Sequence, residues 1–256
     1  MLVPLPISEV EKGLVAVDDE GRRLPVQLLD RGLFWTGVCL AAFIADHVPS
    51  MGYRVYRLER DGVSPIRRDE GCVIENEYFR VEVDPERGGS LKLVDKETGL
   101  VYEGLNVFVD EGDAGDEYNY SPPKNGDLVV VSTSFKARVE REIGPAVSVL
   151  RVSLEMEVPE KLEGQTRSRR TVRVPITSEI FLYKGVRRVD IRTTVDNRAT
   201  DHRLRVRFPV GIHADKAAAD SHFYVVERSV KPGSDGKGWV EVPPTTHPQL
   251  LSLIHI

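Results

Sequence analysis

The stretch FVDEGDAGDEYNYSPPKNGD, residues 108–127, gathers Asp110, Glu111, Asp113, Asp116 and Glu117 around two glycines and follows them with Tyr118, Asn119, Tyr120 and a Pro-Pro pair. Carboxylates at this density can do acid–base work, hold a cation through their oxygens, or shape a loop by accepting backbone N–H bonds. Each use needs compensation, because like charges this close repel unless water, a cation or hydrogen-bond donors intervene. The glycines disfavour a helix and the prolines a central strand, so the whole stretch reads as a loop. It departs from the calcium-loop pattern D-x-[DN]-x-[DN]-G. Glycoside hydrolysis needs two carboxylates about 5 to 9 Å apart; the stretch supplies such groups without fixing their separation.

Other chemistry is sparse. His213 and Asp215 stand two apart in GIHAD and would share a face if that segment were a strand, yet two ligands do not make a metal site and no spacing suggests a third. His47, His202, His222 and His247 stand singly near turns and read as surface residues. No GxSxG elbow, P-loop or GxGxxG is present. The residues alone therefore name neither a catalytic group nor a metal site.

The chain has 256 residues, 41% hydrophobic and 29% charged, enough for one large domain or two smaller ones. Its 35 basic and 40 acidic residues are mixed along the chain and leave a net charge of -5. No basic face is offered to a phosphate backbone, so nucleic acid is not an expected partner. No apolar run approaches the roughly 20 residues of a membrane-spanning helix, and the start, MLVPLPISEVEKG, lacks the basic and apolar regions of a signal peptide. Cys39 and Cys72 have no CxxC partner and read as buried thiols. We expect a chain with no membrane partner in a reducing compartment, the cytoplasm.

The elements that must carry the acidic stretch are strands. Leu150, Val152, Leu154, Met156 and Val158 alternate with polar residues, as do Phe79/Val81/Val83, Val172/Val174/Ile176, Val189/Ile191/Thr193/Val195, and Leu204/Val206/Phe208 set between Arg203, Arg205 and Arg207. DPERGG, DKETG, DNRATD and PGSDGKG supply hairpin turn residues. Only residues 215–222, with three consecutive alanines, suggest a short helical turn. Charge, Gly and Pro replace alternation at residues 59–71. This predicts an all-β chain: a small β domain over 1–65, ending in a strand GYRVYRL, then a large antiparallel sandwich over 66–250.

Several stretches in one order carry a family resemblance. LNVFVDEGDAGDEYNYSPP resembles a hallmark of the family 38 α-mannosidases of the glycoside hydrolases, in the β region after their catalytic domain. ENEYFRVEVDPERGGSLKLVDKETG, LVPLPI, VPSMGYRVYRL, RVRFPVGIHADKAAADSHFYVVER and TTHPQ are similar to the same family's pattern. The resemblance implies a galactose-mutarotase-like sandwich truncated at its C-terminus, belonging to an enzyme that hydrolyses terminal α-linked mannose with retention. It further implies zinc and the catalytic carboxyl groups on a missing N-terminal domain, with no cofactor in this chain. The partners implied are a mannose-containing glycan and, within one polypeptide, that catalytic domain. Tyr118, Asp113, Asp116 and Asn119 would then contact the sugar or line the seam, with Tyr118 the first choice because a ring covers the apolar face of a pyranose. Residues 251–256, LSLIHI, resemble the translation of a sequencing-library adapter and are expected to be a non-native tail. Two other readings stand beside this one: a free-standing carbohydrate-binding β-sandwich, and a mutarotase-like epimerase using His213 or a nearby acid.

Overall fold

The computed structural model of the protein describes residues 2–6, 13–33, 38–61, 66–116, 120–125 and 128–230. Glu117, Tyr118, Asn119, PGSDGKG, His247, TTHPQ and LSLIHI lie outside the described residues. The fold is all-β and its sheets are antiparallel. Two compact units form: one comprises Met1–Val107, Ser132–Met156 and Pro175–Asp196, the other Phe108–Val131, Glu157–Val174 and Asn197–Ile256.

In the first unit a four-stranded sheet runs Val101–Leu105, Ser90–Asp95, Phe79–Asp84, Val73–Glu75 in spatial order. A five-stranded sheet, in this unit except for residues 157–159 and 171–174, runs Val189–Val195, Thr171–Tyr183, Val147–Pro159, Ala137–Ile143, Arg67–Asp69. Alternation puts Ile74, Val81, Val83, Leu91 and Leu105 of the first against Val139, Leu150, Val152, Ile180 and Leu182 of the second, in one buried cluster. Fully burying such side chains stabilises by about 1.5–3 kcal/mol each. Turn chemistry closes the hairpins as the sequence predicts: Asp84 accepts the Glu86 N–H and Asp95 the Glu97 and Thr98 N–H groups.

The N-terminal segment forms two three-stranded sheets, Leu2–Pro6, Val38–Ala42, Gln27–Leu33 and Arg23–Pro25, Leu14–Val17, Arg57–Arg60. They enclose Leu14, Ala16, Val26, Cys39, Ala41 and Phe43. Cys39 is a buried thiol and Cys72 a half-buried one, and burial pushes the Cys72 thiol up. The strand expected at GYRVYRL begins only at Arg57: Arg54 is drawn instead onto Asp18, Asp19 and Glu20, which holds residues 52–56 off the ladder.

Two further expectations give way. Residues 215–222 make no helical turn. Lys216–Ser221 is a strand paired with Tyr224–Ser229, so pairing with valines overrides the helix preference of three alanines. DNRATD joins no hairpin either, because Val189–Val195 and His202–Arg207 belong to different sheets.

Candidate functional site

The acidic stretch belongs to the second unit, and its beginning is not loop. Val107–Gly112 is a strand between Val130–Val131 and His202–Arg207. Period-two alternation therefore sends Asp110 and Glu111 to opposite faces, and each acid finds its own compensation.

Asp110 is fully buried. Its Oδ1 accepts from Arg167 Nη2 and its Oδ2 meets His202 Nδ1, while Arg167 Nη1 also donates to the Leu128 carbonyl at 2.8 Å. The Arg167 side chain is only 2% exposed, so a charged pair sits out of water, held by the extra hydrogen bonds that such a pair requires. His202 Nε2 faces Asn197 Oδ1 at 3.0 Å, and the same oxygen accepts the Ala199 N–H at 3.1 Å. His202 is thus an interior residue, contrary to its expected surface position. The signal lay in its strand: extending the Leu204/Val206 alternation back by two residues puts His202 on the apolar face. Gly112 makes the cluster possible, since a Cβ there would lie 2.6 Å from Pro123 Cγ and 3.1 Å from Arg167 Cγ.

Glu111 points the other way and is shared between Arg203 Nη2 at 2.9 Å and Arg205 Nη2 at 2.6 Å. The Arg203 guanidinium lies 3.3 Å from the centre of the Tyr120 ring, a cation–π contact that ties the far end of the stretch to strand His202–Arg207.

Asp113 is the first residue after the strand. Its Oδ1 accepts the N–H groups of Gly115 at 2.9 Å and Ser121 at 3.1 Å, and its own N–H donates to the Asp201 carbonyl at 2.9 Å. Ala114 N–H closes on Ser121 O at 2.7 Å. One carboxylate thus gathers both ends of the loop around residues 114–121. Asp116 is exposed. Tyr118 and Asn119, the remaining candidate contacts, lie outside the described residues. The structure therefore brings Asp110, Arg167 and His202 together, gives Asp113 a loop-closing set of bonds, and leaves Asp116 facing solvent.

His213 and Asp215 are both exposed and precede the strand Lys216–Ser221. Among the described residues no three His, Cys, Asp or Glu side chains come together to hold a metal ion. Among them, too, no helix is long and apolar enough to cross a membrane.

Comparison with known proteins gives these features a frame. Residues 74–248 match the family model described as glycosyl hydrolases family 38 C-terminal domain. A curated relative from Halalkalibacterium halodurans, named "Putative mannosylglycerate hydrolase", is 30% identical over 177 residues, covering 62% of this chain and 19% of that protein. The fold matches an α-mannosidase from Enterococcus faecalis V583 with a TM-score of 0.70 at 19% identity, over 90% of this chain and 32% of that one. A second Enterococcus faecalis structure, described as a protein in glycosyl hydrolase family 38, matches with a TM-score of 0.70 at 20% identity, over 91% and 34%. The chain thus spans about a fifth of that relative's length and about a third of each solved chain. It belongs to glycosyl hydrolase family 38, whose C-terminal domain it carries.

Proposed function

We propose that this chain is the non-catalytic β region of a larger α-mannosidase, a hydrolase of terminal α-linked mannose, and that it supports and lines the sugar site. In the complete enzyme the reaction would retain anomeric configuration, with zinc and the catalytic carboxyl groups on a separate domain. The described residues of this chain do not fit a zinc site, so no step is assigned to a metal here. Its work is positional.

The observation that carries this reading is the way the acidic loop is held. Buried Asp110, with Arg167 and His202, fixes the strand leading in, and Asp113 closes the loop on the N–H groups of Gly115 and Ser121. A loop whose described ends are secured by a fully buried ion pair and by the Asp113 carboxylate loses less entropy on meeting a ligand than one with free ends. Asp116, Tyr118 and Asn119 would face the mannoside, Tyr118 covering a sugar face while its hydroxyl hydrogen-bonds, and Asp113 would stand at the rim. The test is Tyr118→Phe in the complete enzyme. It should lower kcat/KM for an aryl α-mannoside about three- to tenfold, the worth of one hydroxyl contact, with an unchanged melting temperature. Unchanged kinetics would remove Tyr118 from the site, and turnover by the 256-residue chain alone would overturn the non-catalytic assignment.

A further inference from the structure

The first unit carries a groove of about 360 Å³ on the face of the five-stranded sheet turned away from the sandwich core. No residue of the acidic loop lines it. Val149 and Phe181 give it an apolar floor, and Leu29 of strand Gln27–Leu33 walls it. Phe181 and Tyr183 alternate onto this face of strand Thr171–Tyr183, their rings within 14° of parallel and their centres 6.4 Å apart. A smaller hollow of about 150 Å³ shares Leu29 and Phe181 and extends to Tyr183 and Asp190. The Arg192 guanidinium, 5.6 Å from the centre of the Phe181 ring, fixes the ring's attitude.

Apart from Glu70, the ions around this floor are matched. Glu179 is gripped by Arg151 at 2.7 Å and Arg192 at 2.6 Å. Glu142 holds Arg68 at 2.9 Å and Glu140 holds Arg138 at 2.9 Å. Asp69 binds Arg141 at 2.7 Å. An anionic ligand would have to displace one of these carboxylates from its arginine and strand it. A neutral ligand rich in hydroxyls would not, because carboxylates keep lone pairs and guanidinium groups keep N–H donors beyond those used in pairing. An apolar floor with the Phe181 ring, continued by Tyr183 in the adjoining hollow and rimmed by planar hydrogen-bonding groups, matches a pyranose. Its C–H face lies on rings while its hydroxyls reach outward, and the volume falls in the range of small-molecule sites.

We propose that this groove is a binding site for a neutral pyranose unit of a glycan, built from residues other than those of the acidic loop. It would hold part of a longer saccharide while chemistry proceeds elsewhere in the enzyme, and it does not depend on the reading of Tyr118.

The test is an amide-resolved NMR titration of the 256-residue chain with methyl α-D-mannopyranoside and, separately, mannose 6-phosphate. Saturable shifts are expected at Val149, Arg151 and Phe181, at a dissociation constant of about 1–10 mM, the range of a single sugar on an open groove. Phe181→Leu, which keeps apolar bulk and removes the ring, should weaken binding about fivefold or more without unfolding the chain; Glu142→Gln should weaken it about threefold. The phosphorylated sugar should bind no tighter than the neutral one. Absence of shifts at these residues up to about 50 mM sugar would overturn the proposal, since that exceeds the expected constant severalfold. So would shifts confined to residues 108–121, full affinity in Phe181→Leu, or tighter binding of the phosphate. In the complete enzyme, hydrogen-exchange protection of strand Val147–Pro159 at this groove that sugar does not change would mark a docking surface instead, and would equally overturn it.

Discussion

Gln27 Oε1 accepts the N–H groups of both Ala146, at 3.1 Å, and Val147, at 3.0 Å, while its Nε2 donates to the Val147 carbonyl at 3.0 Å. One buried carboxamide from the N-terminal segment thus completes the backbone of a hairpin about 120 residues later in the chain, a separation of 120 for Gln27–Val147. Gly144 leaves the room: a Cβ there would lie 2.2 Å from the carboxamide carbon. The two segments are joined by a polar pin, and a pin differs from an apolar contact in what its loss leaves behind.

Gln27→Ala should therefore cost more than its small apolar area implies, because the buried Ala146 and Val147 N–H groups lose their acceptor at once, while the Val147 carbonyl keeps only the Gly144 N–H. About 2–4 kcal/mol is expected, read as a lower urea midpoint with little change in slope. Gly144→Ala should cost a similar amount by displacing the same carboxamide. If the two losses in the double variant are far from additive, the pin acts as a single unit.

The Asp110–Arg167 pair makes the second prediction. Arg167→Met leaves Asp110 buried beside His202 alone and should destabilise by about 3–5 kcal/mol, the cost of an uncompensated interior charge. Asp110→Leu with Arg167→Met removes both ions and should recover a substantial part of that loss in chemical denaturation. A double variant no better than the worse single one would show that the charges do more than neutralise each other.

Acid should act on Asp69. The Arg141 guanidinium and the Gly71 N–H hold its carboxyl well below the usual carboxylate range. A depressed carboxyl contributes stability that is fully present above its unfolded value, about 3.9, and is lost as pH falls toward its folded one. Asp69→Asn should lower the melting temperature at pH 7, and the gap to wild type should narrow as pH drops below about 4. A gap that persists unchanged at pH 2.5 would assign the effect to packing or geometry.

How far the sequence reveals all this depends on the range of the interaction. Alternation in Leu150–Val158 announces its strand because burial on one face repeats every second residue, and Asp84 and Asp95 announce their turns because the bonds they make are local. Local patterning also supports a helical turn at 215–222, where a partner strand decides otherwise. The Asp110–Arg167–His202 cluster joins residues up to 92 positions apart. Nothing near Arg167 in QTRSRR distinguishes it from its neighbours, and burial alone sets it apart. The crowding of acids looked like one feature because sequence records neighbours along the chain. The strand separates them, sending Asp110 inward and Glu111 to Arg203 and Arg205. The family, by contrast, is legible in the order of several unlike motifs.

The last prediction separates the two remaining acids of the loop. Asp113 Oδ1 takes two backbone N–H groups, so Asp113→Ala should free the loop ends and lower stability by about 1–2 kcal/mol, the worth of a capping carboxylate. Asp113→Asn keeps an oxygen in the same place and should lose less, about 0.5–1 kcal/mol, because its bonds are no longer charge-assisted. Asp116 is exposed, and Asp116→Asn should leave the denaturation midpoint within about 0.5 kcal/mol of wild type. In the complete enzyme the same three variants give an independent readout. If Asp116 faces the mannoside, its neutral variant should change kcat/KM or its pH profile at constant stability, whereas Asp113→Ala should change both together because the loop it closes carries Tyr118. A stable Asp113→Ala with unaltered kinetics would mean that the strand entering at Asp110 is enough to hold the loop.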